Sequence, residues 1–216
     1  MLLPVFFKTE KIACLIIGAG DVATNKVERM LEAGCHITII APEATGRIRQ
    51  MVDKSLLKWE QRVYRQGDCS GFDLVVAATS SKKVNIEVSR EAQSIHVPVN
   101  VVDDPELCTV VFSAVWRDDP LIVAVSTSGK APFLARDIRN ILSTEHNGLG
   151  SWVEAGGRLR SVLLESDNMP KINHELMKRF SAIQPTNELQ LPSENAVYAD
   201  WMEWIERNEK RGKSDR

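Results

Sequence analysis

Metal-site spacings, disulfide frameworks and membrane-spanning runs are all missing from this chain. Four cysteines occur in 216 residues, at Cys14, Cys35, Cys69 and Cys108, and no two form a CxxC pair. Scattered thiols exclude a local redox or zinc motif and read as small hydrophobes of a reduced protein. The four histidines, His36, His96, His146 and His174, are as dispersed, with no HExxH or HxxxH spacing, so no local metal site is expected. No apolar run approaches the roughly 18 residues of a spanning helix. The start, MLLPVFFKTEK, lacks a basic n-region and a small-residue cleavage site and is read as mature sequence. Neither charge sign dominates: 27 Lys and Arg face 29 Asp and Glu, a net charge of −2. That balance gives no global electrostatic case for a nucleic acid or a membrane surface. The expectation is a cytoplasmic chain.

What is present is an alternation. Residues 12–18 (IACLIIG), 36–43 (HITIIAPE), 72–79 (FDLVVAAT) and 97–102 (VPVNVV) read as buried strands, and 56–64 (LLKWEQRVY) as a further strand. Helical patterns fall between them at 21–34, through about Lys54, and at 82–94. Strands alternating with helices imply βαβ crossovers and a parallel sheet covered on both faces, an α/β Rossmann-type architecture. The pattern then changes. Residues 108–129 hold two β runs around RDDP, a turn signal that predicts an antiparallel hairpin. Helical spacing follows at 131–146, 149–166 and 171–183, and an amphipathic helix closes the chain with Trp201, Trp204 and Ile205 on one face, read as core packing rather than a partner surface.

Gly18, Gly20 and Ala23 make G-x-G-x-x-A between the first strand and the first helix. The first glycine permits the tight turn, the second lets backbone approach a pyrophosphate, and Ala23 lets the helix sit close to the sheet. Phosphate would lie on the helix N-terminus near Asp21, where free N–H groups and the dipole favour negative charge. About 20 residues on, Glu43 is the candidate for the adenosine ribose; its carboxylate favours NAD over the 2′-phosphate of NADP. Alternatively, Glu43 is an acid at a helix start with no ligand. The second glycine element, STSGKAP at 126–132, fails the Walker test because Ala131 follows Lys130.

Three blocks, GAGDVATNK, VNVVDDPELCTVVFSAV and LIVAVSTSGKAPFLARDIR, together resemble the precorrin-2 dehydrogenase / sirohydrochlorin ferrochelatase family, which includes the amino-terminal part of bacterial sirohaem synthase. The resemblance covers roughly residues 1–145. It implies NAD-dependent oxidation of precorrin-2 to sirohydrochlorin, with insertion of ferrous iron in some members, and a homodimer. It also implies a Rossmann domain at 1–107, a dimerisation region of hairpin and helix at 108–146, and a helical region at 147–216. Position by position, Gly18, Ala19, Gly20, Asp21 and Val22 match the cofactor turn, and Pro42 and Glu43 the segment after the second strand. Thr79, closing the FDLVVAAT strand, completes the expected cofactor set. Asp103 matches the aspartate considered important in both family reactions, and Thr127 falls where some members carry a phosphorylatable serine. Two positions depart from the pattern: Ser113 stands where proline is common, and Ser128 replaces a glycine.

The oxidation takes a hydride and a proton from a reduced tetrapyrrole, so the protein must position the ring and receive the proton. Asp103, at the carboxyl end of a strand, suits that task; the competing reading is a turn residue in VDDPE, with Asp104 as the natural control. The substrate's acetates and propionates call for local positive charge, for which Lys26, Lys130, Arg136 and Arg139 lie in the matched blocks. Each of the four is equally well read as part of a solvated helix or loop face. From a different class, a nucleotide-sensing or tetrapyrrole-binding module without catalysis accounts for the same motifs.

Overall fold

Strand β1 (Ala13–Ile17) explains why the amino-terminal part of the chain is layered. Four of its five residues are fully buried, Cys14 and Ile16 in one apolar cluster, Leu15 and Ile17 in another. A strand apolar on both faces belongs in the middle of a sheet covered twice. The computed structural model, which describes residues 2–146, 148–166, 170–183, 185 and 189–214, has this architecture. With β2 (His36–Ile40), β3 (Lys58–Glu60), β4 (Leu74–Ala77) and β5 (Val99–Val101), β1 forms a parallel sheet of order β3-β2-β1-β4-β5. Helices α1 (Asp21–Glu32) and α2 (Gly46–Asp53) cover one face through Ala23, Val27, Met30, Ile48 and Met51. Helix α3 (Lys82–Ser94) covers the other through Val88 and Ala92, one helical turn apart. The strand order reverses between β1 and β4, which makes their carboxyl ends the switch point of the sheet.

One strand is shorter than its alternating sequence predicts. Residues 56–64 were expected to form it, yet only Lys58–Glu60 pairs with β2. Leu56 and Val63 are exposed. Beyond Glu60 the chain is drawn away by Arg62, whose guanidinium grips Asp68 through two bonds of 2.7 and 2.9 Å and Glu60 through a third of 2.8 Å. Bidentate pairing of this kind outweighs a ladder bond at a sheet edge. The loop that follows is fastened by Glu91 of α3, which accepts from the Tyr64 hydroxyl (2.5 Å) and the N–H groups of Gly67 (2.8 Å) and Cys69 (2.7 Å).

The chain divides into two compact units, Met1–Phe112 and Ser113–Arg216. The second opens with the antiparallel hairpin expected from RDDP, β6 (Ala114–Asp118) and β7 (Leu121–Val125). Helix α4 (Pro132–Glu145) packs on both strands. The Asp118 carboxylate accepts from the N–H groups of Gly148 (3.1 Å) and Gly150 (2.8 Å), capping helix α5 (Leu149–Glu165). Helices α6 (Pro170–Ser181) and α7 (Tyr198–Ser214) complete the unit. Its core joins Ala155, Leu159 and Leu163 of α5 to Leu176 and Phe180 of α6. Trp201, Trp204 and Ile205 of α7 are buried in the same cluster, the use predicted for that face. Trp152 stacks on Phe180 with ring centroids 4.2 Å apart. Among the described residues no helix is long and apolar enough to cross a membrane.

Burial alone would raise the Glu91 pKa, but its hydrogen bonds to Tyr64, Gly67 and Cys69 outweigh burial and hold it below its ordinary 4.5. A depressed carboxylate stabilises the fold above its unfolded pKa and loses that contribution as pH falls through the folded value. Glu91→Gln should therefore lower urea-unfolding stability by about 1–2 kcal/mol at pH 7. The gap from the parent should narrow as pH drops below 4.5.

Candidate functional site

The site is built where β1 ends. Gly18 has φ +105°, a left-handed conformation, and a Cβ there would lie 2.3 Å from the Ala78 carbonyl oxygen. Gly18 N–H donates to Ile40 O (2.9 Å) and Ala78 N–H to Ile17 O (2.8 Å), so three strand ends are laced together with no space for a side chain. Gly20 is different. It has ordinary φ and ψ (−80°, −173°) at the start of α1, and a Cβ on it meets nothing within 4 Å. What the protein itself does not need from this glycine is open space above a helix N-terminus, the shape and polarity that a pyrophosphate fills. The residues present therefore fit a dinucleotide. Ala19 is buried, whereas Asp21 and Val22 of the first helical turn are exposed.

A second segment is tied to this turn by hydroxyls. Thr45 N–H donates to Ala19 O (3.1 Å). The Thr24 hydroxyl donates to Gly20 O (2.9 Å) and receives the Thr45 hydroxyl at 2.9 Å, leaving Thr45 Oγ1 to accept from Ile48 N–H (3.3 Å) and cap α2. Trp59 Nε1–H holds Ala41 O at 3.0 Å. Pro42 and Glu43, both exposed, are carried between these fixed points, beside the glycine turn. Thr79 sits just past β4 with its polar groups turned inward. Its N–H and hydroxyl reach Asn85 Oδ1 (3.3 and 2.7 Å), and its carbonyl accepts from Asn85 Nδ2 (3.1 Å). The residue shapes the loop through Asn85. Thr24, Thr45 and Asn85 went unnoticed in the sequence, although a threonine three residues before Ile48 is the ordinary mark of a helix cap.

Asp103 follows β5 in a left-handed turn, φ +59°, with an exposed side chain. Aspartate is one of the few residues that takes this conformation at modest cost. Lys26, on α1 and half-buried, lies with its ammonium 4.4 Å from the centre of the Phe112 ring. Burial and then Arg29 push its pKa below the usual lysine value, while Cys108 and Asp103 pull the other way. The fold thus gathers Lys26, Asp103 and Cys108 in the unit that carries the glycine turn. Asp104, by contrast, is paired with Lys82 at 4.0 Å.

The remaining expected cations belong to the second unit. Lys130 is exposed in the loop after β7, its N–H on Thr127 O (3.0 Å), and Arg136 is exposed on α4. Arg139 Nε is buried with no hydrogen-bond partner among the described residues. Thr127 Oγ1 accepts from Ala131 N–H (3.1 Å). Ser128 keeps φ +54°, the left-handed backbone suited to a glycine at that position.

A glycine turn at the switch point, an open helix N-terminus and an acidic loop held beside them define the first unit as a domain for a nicotinamide dinucleotide. The family model described as "Putative NAD(P)-binding" matches residues 5–114, and the chain belongs to that family. The siroheme synthase of Methylococcus capsulatus is 41% identical over 142 residues, 66% of this chain and 30% of the relative. That of Azotobacter vinelandii is 39% identical over 161 residues, 74% of this chain and 33% of the relative. The chain thus spans about a third of the length of these curated relatives. A solved structure named SirC, precorrin-2 dehydrogenase, matches with a TM-score of 0.70 at 20% identity, covering 97% of this chain and 100% of that one. This last likeness is one of fold.

The open space over Gly20 makes a sharp test. Gly20→Ala should melt within about 2 °C of the parent, since the new methyl touches nothing in the protein. Its affinity for the dinucleotide, measured by calorimetry, should fall by at least about tenfold, because the methyl occupies the pyrophosphate approach. Gly18→Ala should lose thermal stability and nucleotide binding together.

Proposed function

We propose that this chain is a precorrin-2 dehydrogenase, oxidising precorrin-2 to sirohydrochlorin with NAD on the way to sirohaem. One observation carries the reading: the glycine turn leaves open space at the N-terminus of α1, the helix that also carries Lys26, and Asp103 follows β5 of the same sheet. An anionic reduced ring needs these two groups near its oxidant, one to receive a proton and one to meet a side-chain carboxylate. The names of the relatives, siroheme synthase and precorrin-2 dehydrogenase, support the same substrate class.

Bound NAD supplies the hydride acceptor. Gly20, Asp21 and Val22 would hold its pyrophosphate by backbone N–H, Gly18 and Ala19 would shape the turn beneath it, and Pro42 and Glu43 would border the ribose, the Glu43 carboxylate favouring NAD over NADP. Thr79 shapes the floor of the crevice through Asn85. Asp103 takes the proton released from the substrate and returns it to water through its exposed side. Lys26 in the first unit, and Lys130, Arg136 and Arg139 in the second, are the cations available to the acetates and propionates. The same Asp103 serves to remove pyrrole protons when ferrous iron is the second substrate, a ferrochelatase reaction.

The molecule works in the cytoplasm as a homodimer, with a nucleotide domain at 1–107, a dimerisation region at 108–146 and a helical region at 147–216. Exposed Val115 and Ile122 on the hairpin, and Phe133, Leu134, Ile138 and Ile141 on α4, support the dimer.

Incubation with precorrin-2 and NAD should give NADH and the sirohydrochlorin spectrum, with NADP a poorer oxidant. Asp103→Ala should lower kcat/KM by about 10²–10⁴-fold, the range for a lost acid–base group, while Asp104→Ala stays near the parent. Bound nucleotide without turnover would replace this reading with a binding module that lacks catalysis. Iron insertion at the uncatalysed rate would remove the ferrochelatase activity alone.

A further inference from the structure

We propose that Cys108 is a positioning residue for Asp103, its sulfur closing the loop that carries the carboxylate. The inference rests on the function proposed above. It begins at an edge. Strand β5 is the last of its sheet, so its outward N–H groups have no strand to pair with. Side chains of the returning chain replace that strand. Val99 N–H donates to Thr109 Oγ1 (2.8 Å), and Val101 N–H donates to Cys108 Sγ (3.1 Å). Asn100 Nδ2 approaches the same sulfur at 3.6 Å while donating to Val110 O at 3.0 Å. The thiol proton in turn has two acceptors, the carbonyl oxygens of Val101 and Asp104, each 3.3 Å away.

Cys108 therefore joins the residue two before Asp103 to the residue one after it. Between these anchors Asp103 holds φ +59°, a conformation that a free chain of L-residues rarely populates. No other side chain among the described residues bonds to the backbone of both Val101 and Asp104. Loosening it would free the carboxylate's backbone and leave the glycine turn, which depends on Ile17, Ile40 and Ala78, untouched. A serine oxygen sits on a shorter bond, so it keeps some of these partners and loses others; an alanine keeps none.

The full-length protein, its Cys108→Ala variant and its Cys108→Ser variant are compared in three ways. Calorimetry with NAD should show affinities within about twofold of one another. Turnover of precorrin-2 should show kcat down about 10²-fold in the alanine variant, the effect of a misplaced reacting group, with KM little changed and at least about tenfold of the loss recovered by serine. Amide exchange at Val101 should be at least about tenfold faster in the alanine variant, reporting local opening. Turnover within twofold of the parent in Cys108→Ala, unchanged exchange at Val101, or NAD affinity falling in step with kcat would each overturn the proposal. Should the parent itself fail to oxidise precorrin-2, the functional reading fails, and Val101 exchange still decides whether the sulfur fastens the loop.

Discussion

The contact that the rest of the site depends on is the approach of the Ala78 carbonyl to Gly18. No side chain fits between them, and the left-handed backbone at Gly18 sends the chain from β1 into α1 at once. Because that turn is tight, the N-terminus of α1 opens over the carboxyl ends of the sheet. Because it is also laced to β2 through Ile40, the segment after β2 arrives beside it. The hydroxyl chain from Thr45 through Thr24 to Gly20 O then fixes that segment to the turn. An open helix N-terminus and an exposed acidic segment beside it follow from one steric constraint and three hydrogen bonds.

Asp103 stands past β5, an edge strand of the same sheet two places from β1. Strand β5 ends in a turn whose conformation aspartate tolerates, and the edge is covered by Cys108 and Thr109 in place of a sixth strand. Lys26 is half-buried with its ammonium over the Phe112 ring, and burial holds its pKa below the usual lysine value. A side chain that is half-desolvated yet charged binds a carboxylate more tightly than a fully hydrated lysine does. The second unit has a separate hydrophobic core built on Phe180, Trp152, Trp201 and Trp204, and it carries Lys130, Arg136 and Arg139.

Much of this was legible in the sequence where residues answer to their neighbours in the chain. Runs apolar on both faces, as in IACLII, mark interior strands, RDDP marks the hairpin, and Trp201, Trp204 and Ile205 fall one turn apart on the buried face of α7. The glycine turn was legible because its two glycines serve a local geometry. What stayed hidden depends on distant partners. The alternation of residues 56–64 suggested a long strand, but Arg62 finds Asp68 and leaves the ladder. Thr24 and Thr45 are 21 residues apart, and Asn85 is an ordinary helical asparagine until Thr79 is seen beside it. Cys108 read as packing because nothing in PELCTV announces that its sulfur replaces a missing strand.

The central claim is that the open space over Gly20 is the seat of a nicotinamide dinucleotide whose reactive end faces Asp103. A crystal structure of the protein grown with NAD tests it most directly. The account predicts pyrophosphate oxygens within hydrogen-bond distance of the N–H groups of residues 20–22, the adenosine ribose against Glu43, and the nicotinamide on the side of Asp103. Density for NAD at any other place, or a vacant crevice over Gly20 at saturating NAD, would contradict it.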